Sequence, residues 1–259
     1  MLRDIAEFAA TGEFHDTAGA LDVKFSGGDD YVTAAINTLA NDAKARGDTD
    51  AFQKLQTQLP SFKKFFAGSK VVDANGEPLV VWHGTPNGDF TVFDKQKIGS
   101  TTNRQNVSIG ELGFYFTNDK GAAQNYAEYH GTNSDPRTMG VYLSLRNPLI
   151  VEDSGWGSAA DQADARKNDL ARWAKKGGHD GIIVRSTDEI LDDGSVDTVY
   201  IAFEPNQVKS ATDNIGTFDP GNDDIRFSRS QMPTVRVGSF RVADADDRGG
   251  RAGRGQREH

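Results

Sequence analysis

A histidine, a glycine and a hydroxyl residue directly follow a short apolar run in this sequence. Residues 80–82 are apolar and predict a buried strand, and His83, Gly84 and Thr85 come next. A glycine at a strand end lets the backbone turn and approach a ligand without a Cβ in the way. The stretch therefore predicts a binding edge. The alternative is a structural histidine whose ring is satisfied by a backbone carbonyl.

Two tyrosines follow about thirty residues downstream, one on a predicted strand and one on the helix after it. Aromatic residues favour a strand over 114–117, which carries Tyr115. Asn118 is a good N-cap for a helix over about 119–129, which carries Tyr126. A strand that leads directly into a helix folds back on itself, so the two rings can stack on a flat ligand such as a nicotinamide. The alternative is that both are ordinary core aromatics.

Together these stretches resemble the ADP-ribosyltransferases of the diphtheria-toxin and poly(ADP-ribose) polymerase type, which carry a His-Tyr-Glu signature. That family has an aromatic-His-Gly-Thr/Ser strand end, a Gly-x-Tyr-Phe/Ser strand and a second tyrosine on the next helix. The matching residues are Trp82-His83-Gly84-Thr85, Gly113-Phe114-Tyr115-Phe116 and Tyr126. The later runs 199–211 and 214–220 are similar to ADP-ribosyltransferase domains of phage and mobile-element polyvalent proteins. The resemblance spans roughly residues 62–229.

The resemblance implies a fold and a set of roles. The fold is α+β, with split antiparallel β-sheets and flanking helices. The implied enzyme takes NAD as its substrate and transfers ADP-ribose to an acceptor with release of nicotinamide. His83 would hydrogen-bond a ribose hydroxyl, and backbone groups of Gly84 would hold the carboxamide. Tyr115 and Tyr126 would enclose the nicotinamide ring, with Thr85 beside them in the NAD-binding set.

The third catalytic residue is where this sequence departs from the family. The family places a glutamate just before the Tyr-Ile pair of its last strand, and this chain has Val199 there. Asp197 lies two residues earlier on the same strand face and is the first candidate for the carboxylate. Gln207 is the second candidate. Each has a structural alternative, which is a solvated turn residue for Asp197 and a strand-end cap for Gln207.

The absence of the glutamate argues against polymer formation and leaves three functions open. One is a mono-ADP-ribosyltransferase that acts as an effector, a toxin or a phage-encoded enzyme. The second is an NAD glycohydrolase, and the third is a degenerate transferase fold that only binds a nucleotide or a partner. For a transferase, the acceptor can be a protein side chain, a nucleic acid or a small nucleotide.

The composition argues against several other classes of protein. The chain has no cysteine, and its five histidines lack metal-ligand spacing, so neither a disulfide framework nor a zinc site is expected. A formal charge of −9 argues against a general affinity for nucleic acid. No apolar run is long enough to span a membrane, and no signal segment opens the chain. We therefore expect action in the cytoplasm, reached without a cleavable signal peptide if the protein is injected or secreted.

The sequence divides into three predicted segments. Residues 1–60 are predicted to be a helical N-terminal extension, 61–230 the transferase-like domain, and 231–259 a disordered Gly/Arg-rich tail with a net charge of +2. The polar stretch from Ser100 to Ile109 is expected to be a mobile loop, which covers the dinucleotide in the resembled family. Residues 159–176 are predicted to form an amphipathic helix with Trp173 facing inward.

Overall fold

A computed structural model describes residues 28–88, 90–98, 113–129, 135–153, 170–191 and 196–226. The loop from Ser100 to Ile109, the Gly/Arg-rich tail and the first part of the helix predicted over 159–176 lie outside these ranges. The first 27 residues of the predicted N-terminal extension lie outside them as well.

The described part of the chain contains five α-helical segments, two short 3-10 helices (Lys95–Lys97 and Pro205–Gln207) and seven strands. The helices are α1 (Gly28–Ala45), α2 (Thr49–Gln56), α3 (Pro60–Phe66), α4 (Lys120–Tyr129) and α5 (residues 170–176). The strands are β1 (Val81–Thr85), β2 (Phe114–Thr117), β3 (Arg137–Leu143), β4 (Leu149–Asp153), β5 (Gly181–Ile190), β6 (Val196–Ala202) and β7 (Val208–Ser210). Within these ranges, no helix is both long enough and apolar enough to cross a membrane.

Helices α1 to α3 pack onto the sheet through aromatic side chains. Pro60 opens α3 at a first-turn position, where its missing N–H leaves no bond unmade. Phe62 of α3 meets Tyr142 of β3 and Phe218 edge-on, with ring centroids 4.8 and 5.0 Å away. These rings belong to one buried cluster that also contains Leu59. The helices therefore share a hydrophobic core with β3.

The seven strands form one sheet in the order β4-β5-β6-β2-β1-β3-β7. All neighbouring strands are antiparallel except β4 and β5, which are parallel. Strand β1 pairs with β3 at every position from Val81 to Thr85, but it joins β2 at one rung, Trp82 with Thr117. The sheet thus consists of two halves, β4-β5-β6-β2 and β1-β3-β7, that meet at this rung. The predicted α+β class is confirmed.

Alternation along the strands gives the sheet two different faces. On one face, Val81, Phe114 and Phe116 enter a buried cluster with Phe93 and Ile225. On the other face, strands β5 and β6 pack against α5. Helix α4 lies over β1, and the residues predicted to bind a ligand lie around the junction of the two half-sheets.

The orientation predicted for Trp173 is wrong. Helix α5 buries Ala171 and Ala174 against the sheet, whereas Trp173 is 65% exposed. Successive residues of a helix are rotated by about 100°, so residues 171 and 174 share a face from which residue 173 is turned away. The small alanine side chains also let the helix lie close to the strands beneath it.

Candidate active site

His83 lies where strands β1 and β2 separate. Its Nδ1 is 2.7 Å from the backbone oxygen of Tyr115. Because a carbonyl oxygen only accepts, Nδ1 carries the proton in this bond. Phe90, Phe93 and Phe116 enclose the imidazole, with ring centroids between 5.0 and 6.2 Å away. The side chain therefore bridges the two strands just beyond the last backbone rung between them.

The protonation state of His83 follows from this enclosure. Burial lowers the pKa of His83 below its ordinary 6.5, and the bond to the Tyr115 carbonyl opposes that shift only in part. The imidazole is therefore neutral at neutral pH, with its proton on Nδ1. Nε2 is then an acceptor, and none of the residues that the structure describes bonds to it. A structural histidine would bond to a backbone carbonyl, and His83 does so through Nδ1. This bond leaves Nε2 able to accept from a hydroxyl.

Gly84 is required by the packing of helix α4 on strand β1. A Cβ at this position would lie 1.8 Å from the carbonyl oxygen of Ala123 and 3.2 Å from the backbone nitrogen of Ala127. The space left by the missing Cβ is therefore filled by the helix backbone and not by a ligand. The predicted contact of the Gly84 backbone with a carboxamide stays a prediction. The glycine brings α4 directly against the strand next to His83.

Tyr115 and Tyr126 are both half-buried and lie on the same side of the sheet. Tyr115 alternates with two core phenylalanines of β2, so its ring points to the opposite face from theirs. Thr117 shares a face with Tyr115, and Trp82 shares a face with Gly84. Because Trp82 and Thr117 are paired, these residues all lie on one face, which α4 covers at Gly84. One ring on the strand and one on the next helix is the arrangement that the sequence predicted. Their stacking on a nicotinamide stays a prediction.

Thr85 completes the motif, but its hydroxyl serves the turn after β1. The side chain is buried, and its Oγ1 donates to the Asn87 oxygen and accepts from the Asn87 nitrogen, both at 3.2 Å. These are the local bonds of a threonine turn. The geometry explains a hydroxyl residue at this position without a ligand, and the contact of Thr85 with NAD stays a prediction.

Val199 occupies the position of the family's glutamate. It lies on β6, level with the single pair that joins β2 to β1. It pairs with Thr117, which pairs in turn with Trp82. The valine side chain is half-buried and packs against the cluster beneath α5. Asp197 lies two residues earlier on β6, is half-buried, and is the only acidic residue of that strand. Strand alternation puts its carboxylate on the same face as Val199.

The side-chain amide of Gln207 is fully used within the fold. Its Oε1 accepts from the backbone nitrogens of Phe203 and Glu204, at 2.9 and 2.8 Å. Its Nε2 donates to the carbonyl oxygens of Asp180 and Ser144, at 2.8 and 3.4 Å. The strand-end cap considered from the sequence accounts for all of these bonds. This geometry speaks against Gln207 as a neutral substitute for the carboxylate.

Sequence reasoning missed the roles of the residues that lead into α4. Asp119 caps the helix in place of Asn118, since its Oδ1 accepts from the Gly121 nitrogen at 2.7 Å. Asn118 bonds instead to β6. The ammonium group of Lys120 lies 4.7 Å from the ring centroid of Trp82, a cation–π contact. Asn118 and Asp119 are both good N-cap residues, so the sequence does not show which of them caps the helix. The contact of Lys120 with Trp82 has no pattern in the sequence that would predict it.

The strand that ends at the His-Gly-Thr motif, the strand with Tyr115 and the helix with Tyr126 are all present in the predicted order. The family described as ADP-ribosyltransferase in polyvalent proteins matches residues 73–218, more than half of the chain, and the chain belongs to that family. No curated protein and no solved structure matches the chain. The matched region contains the candidate residues His83, Tyr115 and Asp197. Helices α1 to α3 lie outside it.

Proposed function

We propose that this chain cleaves NAD and transfers a single ADP-ribose unit to an acceptor, with release of nicotinamide. One observation carries the proposal: the neutral His83 at the strand gap keeps an acceptor nitrogen that no described residue occupies. The family supports ADP-ribosyl transfer in general, and its usual donor is NAD. His83 shares the face of Phe93 and Phe116, and the two tyrosines lie on the other face, so NAD would reach both from the gap between β1 and β2, where Nε2 can accept from a ribose hydroxyl.

The reaction breaks the bond between the nicotinamide nitrogen and C1′ of the ribose. The electron pair leaves with nicotinamide, and positive charge develops on the sugar in an oxocarbenium-like state. The acceptor then bonds to C1′ and gives up its proton. A held ribose, an enclosed nicotinamide and a nearby negative charge all favour this path. His83 would supply the first of these and Tyr115 with Tyr126 the second.

We assign the negative charge to Asp197. It is the carboxylate of β6 that shares a face with the position of the family's glutamate, and it is half-buried, where a charge is screened less than at a fully exposed site. A valine at position 199 argues against elongation of a polymer, which favours single transfer.

The biological role follows from the family as a proposal. A domain of the polyvalent-protein family suits an effector, a toxin or a phage-encoded enzyme that acts on a target in the cytoplasm. The formal charge of −9 disfavours nucleic acid as the acceptor and leaves a protein side chain or a small nucleotide.

A second candidate function is a degenerate transferase fold that binds a nucleotide or a partner without cleaving NAD. The observation that favours it is Val199, whose apolar side chain packs against the cluster beneath α5 where the family has a catalytic glutamate. In that case Asp197 would be a strand-end residue without a part in chemistry.

Calorimetric titration of NAD, combined with mass spectrometry of free nicotinamide, separates the two candidates. We expect NAD to bind and nicotinamide to appear. Tyr115→Ala should weaken NAD binding by roughly 1 to 3 kcal/mol, the range of base–aromatic stacking. Trp173→Ala removes an exposed aromatic ring on α5 and is the matched control, with unchanged affinity expected.

Two results would count against the proposal. An unchanged NAD affinity in a folded Tyr115→Ala variant would reject the stacking role. NAD binding without any nicotinamide release, with protein and nucleotide acceptors supplied, would favour the binding module.

A further inference from the structure

We propose that Asn118 is a positioning residue that holds Asp197 in the orientation needed for NAD cleavage. The inference rests on the function proposed above, in which Asp197 supplies the negative charge. Asn118 directly follows β2, and Asp197 is the second residue of β6. Its contacts are made with the backbone of β6 on both sides of the aspartate.

The side-chain amide of Asn118 bonds to the strand immediately before and after Asp197. Its Nδ2 donates to the carbonyl oxygen of Val196 at 2.9 Å, and its Oδ1 accepts from the backbone nitrogen of Thr198 at 2.9 Å. The backbone nitrogen of Asn118 also donates to the Thr198 oxygen at 3.3 Å. One side-chain amide thus makes the donor and acceptor bonds that a paired peptide group makes in a sheet.

The regular ladders on both sides of β6 fail at Asp197, which explains why such a substitute is needed. On the β2 side, the last rung joins Thr117 to Val199. On the β5 side, Arg185 pairs with Thr198 and Ile190 with Val196, and residues 186–189 form an irregularity opposite Asp197. The Asn118 amide therefore bonds to the backbone on both sides of Asp197, at the point where the regular pairing of β6 is interrupted.

The orientation of the Asp197 carboxylate depends on this backbone. Side chains two residues apart share a face only while the strand stays extended between them. The hydroxyl of Thr198 adds a second donor to the Val196 oxygen, at 2.9 Å. By holding residues 196 to 198 extended, Asn118 keeps Asp197 on the face of Val199 and Tyr115. A small displacement of a charged group from the reacting centre has a large effect on rate.

The test compares Asn118→Ala with Asn147→Ala in the full chain. Asn147 is exposed, and its Nδ2 donates to the Gly178 oxygen at 3.2 Å, so this control removes the same kind of side chain–backbone bond far along the sequence. We expect Asn118→Ala to lower the kcat of nicotinamide release by about tenfold or more and to change the Kd for NAD by no more than about twofold. Asn147→Ala should change neither quantity.

A double-mutant cycle distinguishes positioning from general support of the fold. In an Asp197→Asn background, Asn118→Ala should cause no further loss of kcat, because Asn118 acts through Asp197. If Asn118→Ala does not fold, Asn118→Asp replaces it, since that variant keeps the acceptor for Thr198 and loses the donor to Val196. Its expected result is also a loss in kcat at nearly constant Kd.

The outcomes separate this inference from the proposed function. If the wild-type chain releases nicotinamide and the Asn118 variants keep its kcat, the positioning role is wrong and the function stands. Losses that multiply in the double mutant would also overturn the positioning role. If the wild-type chain releases no nicotinamide, the proposed function fails and this inference fails with it.

Discussion

The protein holds His83 and Asp197, two residues of the proposed site, in different ways. His83 is bonded to Tyr115, enclosed by three aromatic rings, and followed by a glycine that α4 covers. Asp197 lies near the start of a strand, beyond the last rung with β2 and opposite an irregularity in β5. At the histidine, folding and the proposed chemistry require the same residues. Asp197 is half-buried, and the backbone on both sides of it is bonded by the Asn118 amide.

This difference explains why one end of the site follows the family motif and the other departs from it. Any other residue at position 84 would place a Cβ against the backbone of α4. Packing therefore requires the glycine of the motif, independently of any reaction. Position 199 is half-buried beside an apolar cluster, which a valine satisfies without loss of stability. In the proposed enzyme, the carboxylate would come from Asp197, two residues away on the same face.

The largest expected effect is at the aspartate. Asp197→Asn removes the proposed negative charge with little change in shape and should lower nicotinamide release on the order of a hundredfold or more. Asp50→Asn is the matched control, because it removes an exposed carboxylate from the first turn of α2. The measurement is steady-state release of nicotinamide at saturating NAD.

Either of two results would contradict the catalytic role proposed for Asp197. Full activity in Asp197→Asn would show that Asp197 is structural. An inert wild-type chain that gains activity in Val199→Glu would show that the site is degenerate, and the binding-module interpretation would replace the enzyme.

Much of the His83 end could be predicted from the sequence, because its signals are local. The apolar run before His83 predicted strand β1, and the aromatic run with Tyr115 predicted strand β2. The polar residues after β2 predicted the start of helix α4. The order of the strands could not be predicted, since strand periodicity shows which residues share a face but not which strands are neighbours. The contacts of Asn118 could not be predicted for the same reason, because its partners lie on β6, about eighty residues further along the chain.

A smaller expected effect tests the packing of the histidine end. Gly84→Ala should lower the free energy of unfolding by about 2 to 3 kcal/mol, because the added Cβ would lie 1.8 Å from a carbonyl oxygen of α4. Gly76→Ala is the control, since Gly76 has a φ of +82° and no atom within 4 Å of an added Cβ. That variant carries only backbone strain and should cost about 1 kcal/mol. Urea denaturation of the two variants measures the difference, and equal losses would contradict the packing argument.

The smallest effect concerns the protonation of His83. Burial lowers the pKa of His83 in the folded chain, while the unfolded chain titrates near the ordinary 6.5. Between these two pKa values the unfolded state binds more protons, so the free energy of unfolding should rise as the pH rises through this window and level off above 6.5. In His83→Asn, which can still donate a hydrogen bond to the Tyr115 oxygen, this component of the pH dependence should disappear. Urea denaturation at a series of pH values, with NMR titration of the His83 ring, measures both quantities. If the ring titrates at or above 6.5, or if the variant keeps the wild-type slope, then His83 is not held neutral by its enclosure, and the acceptor role of Nε2 loses its physical basis.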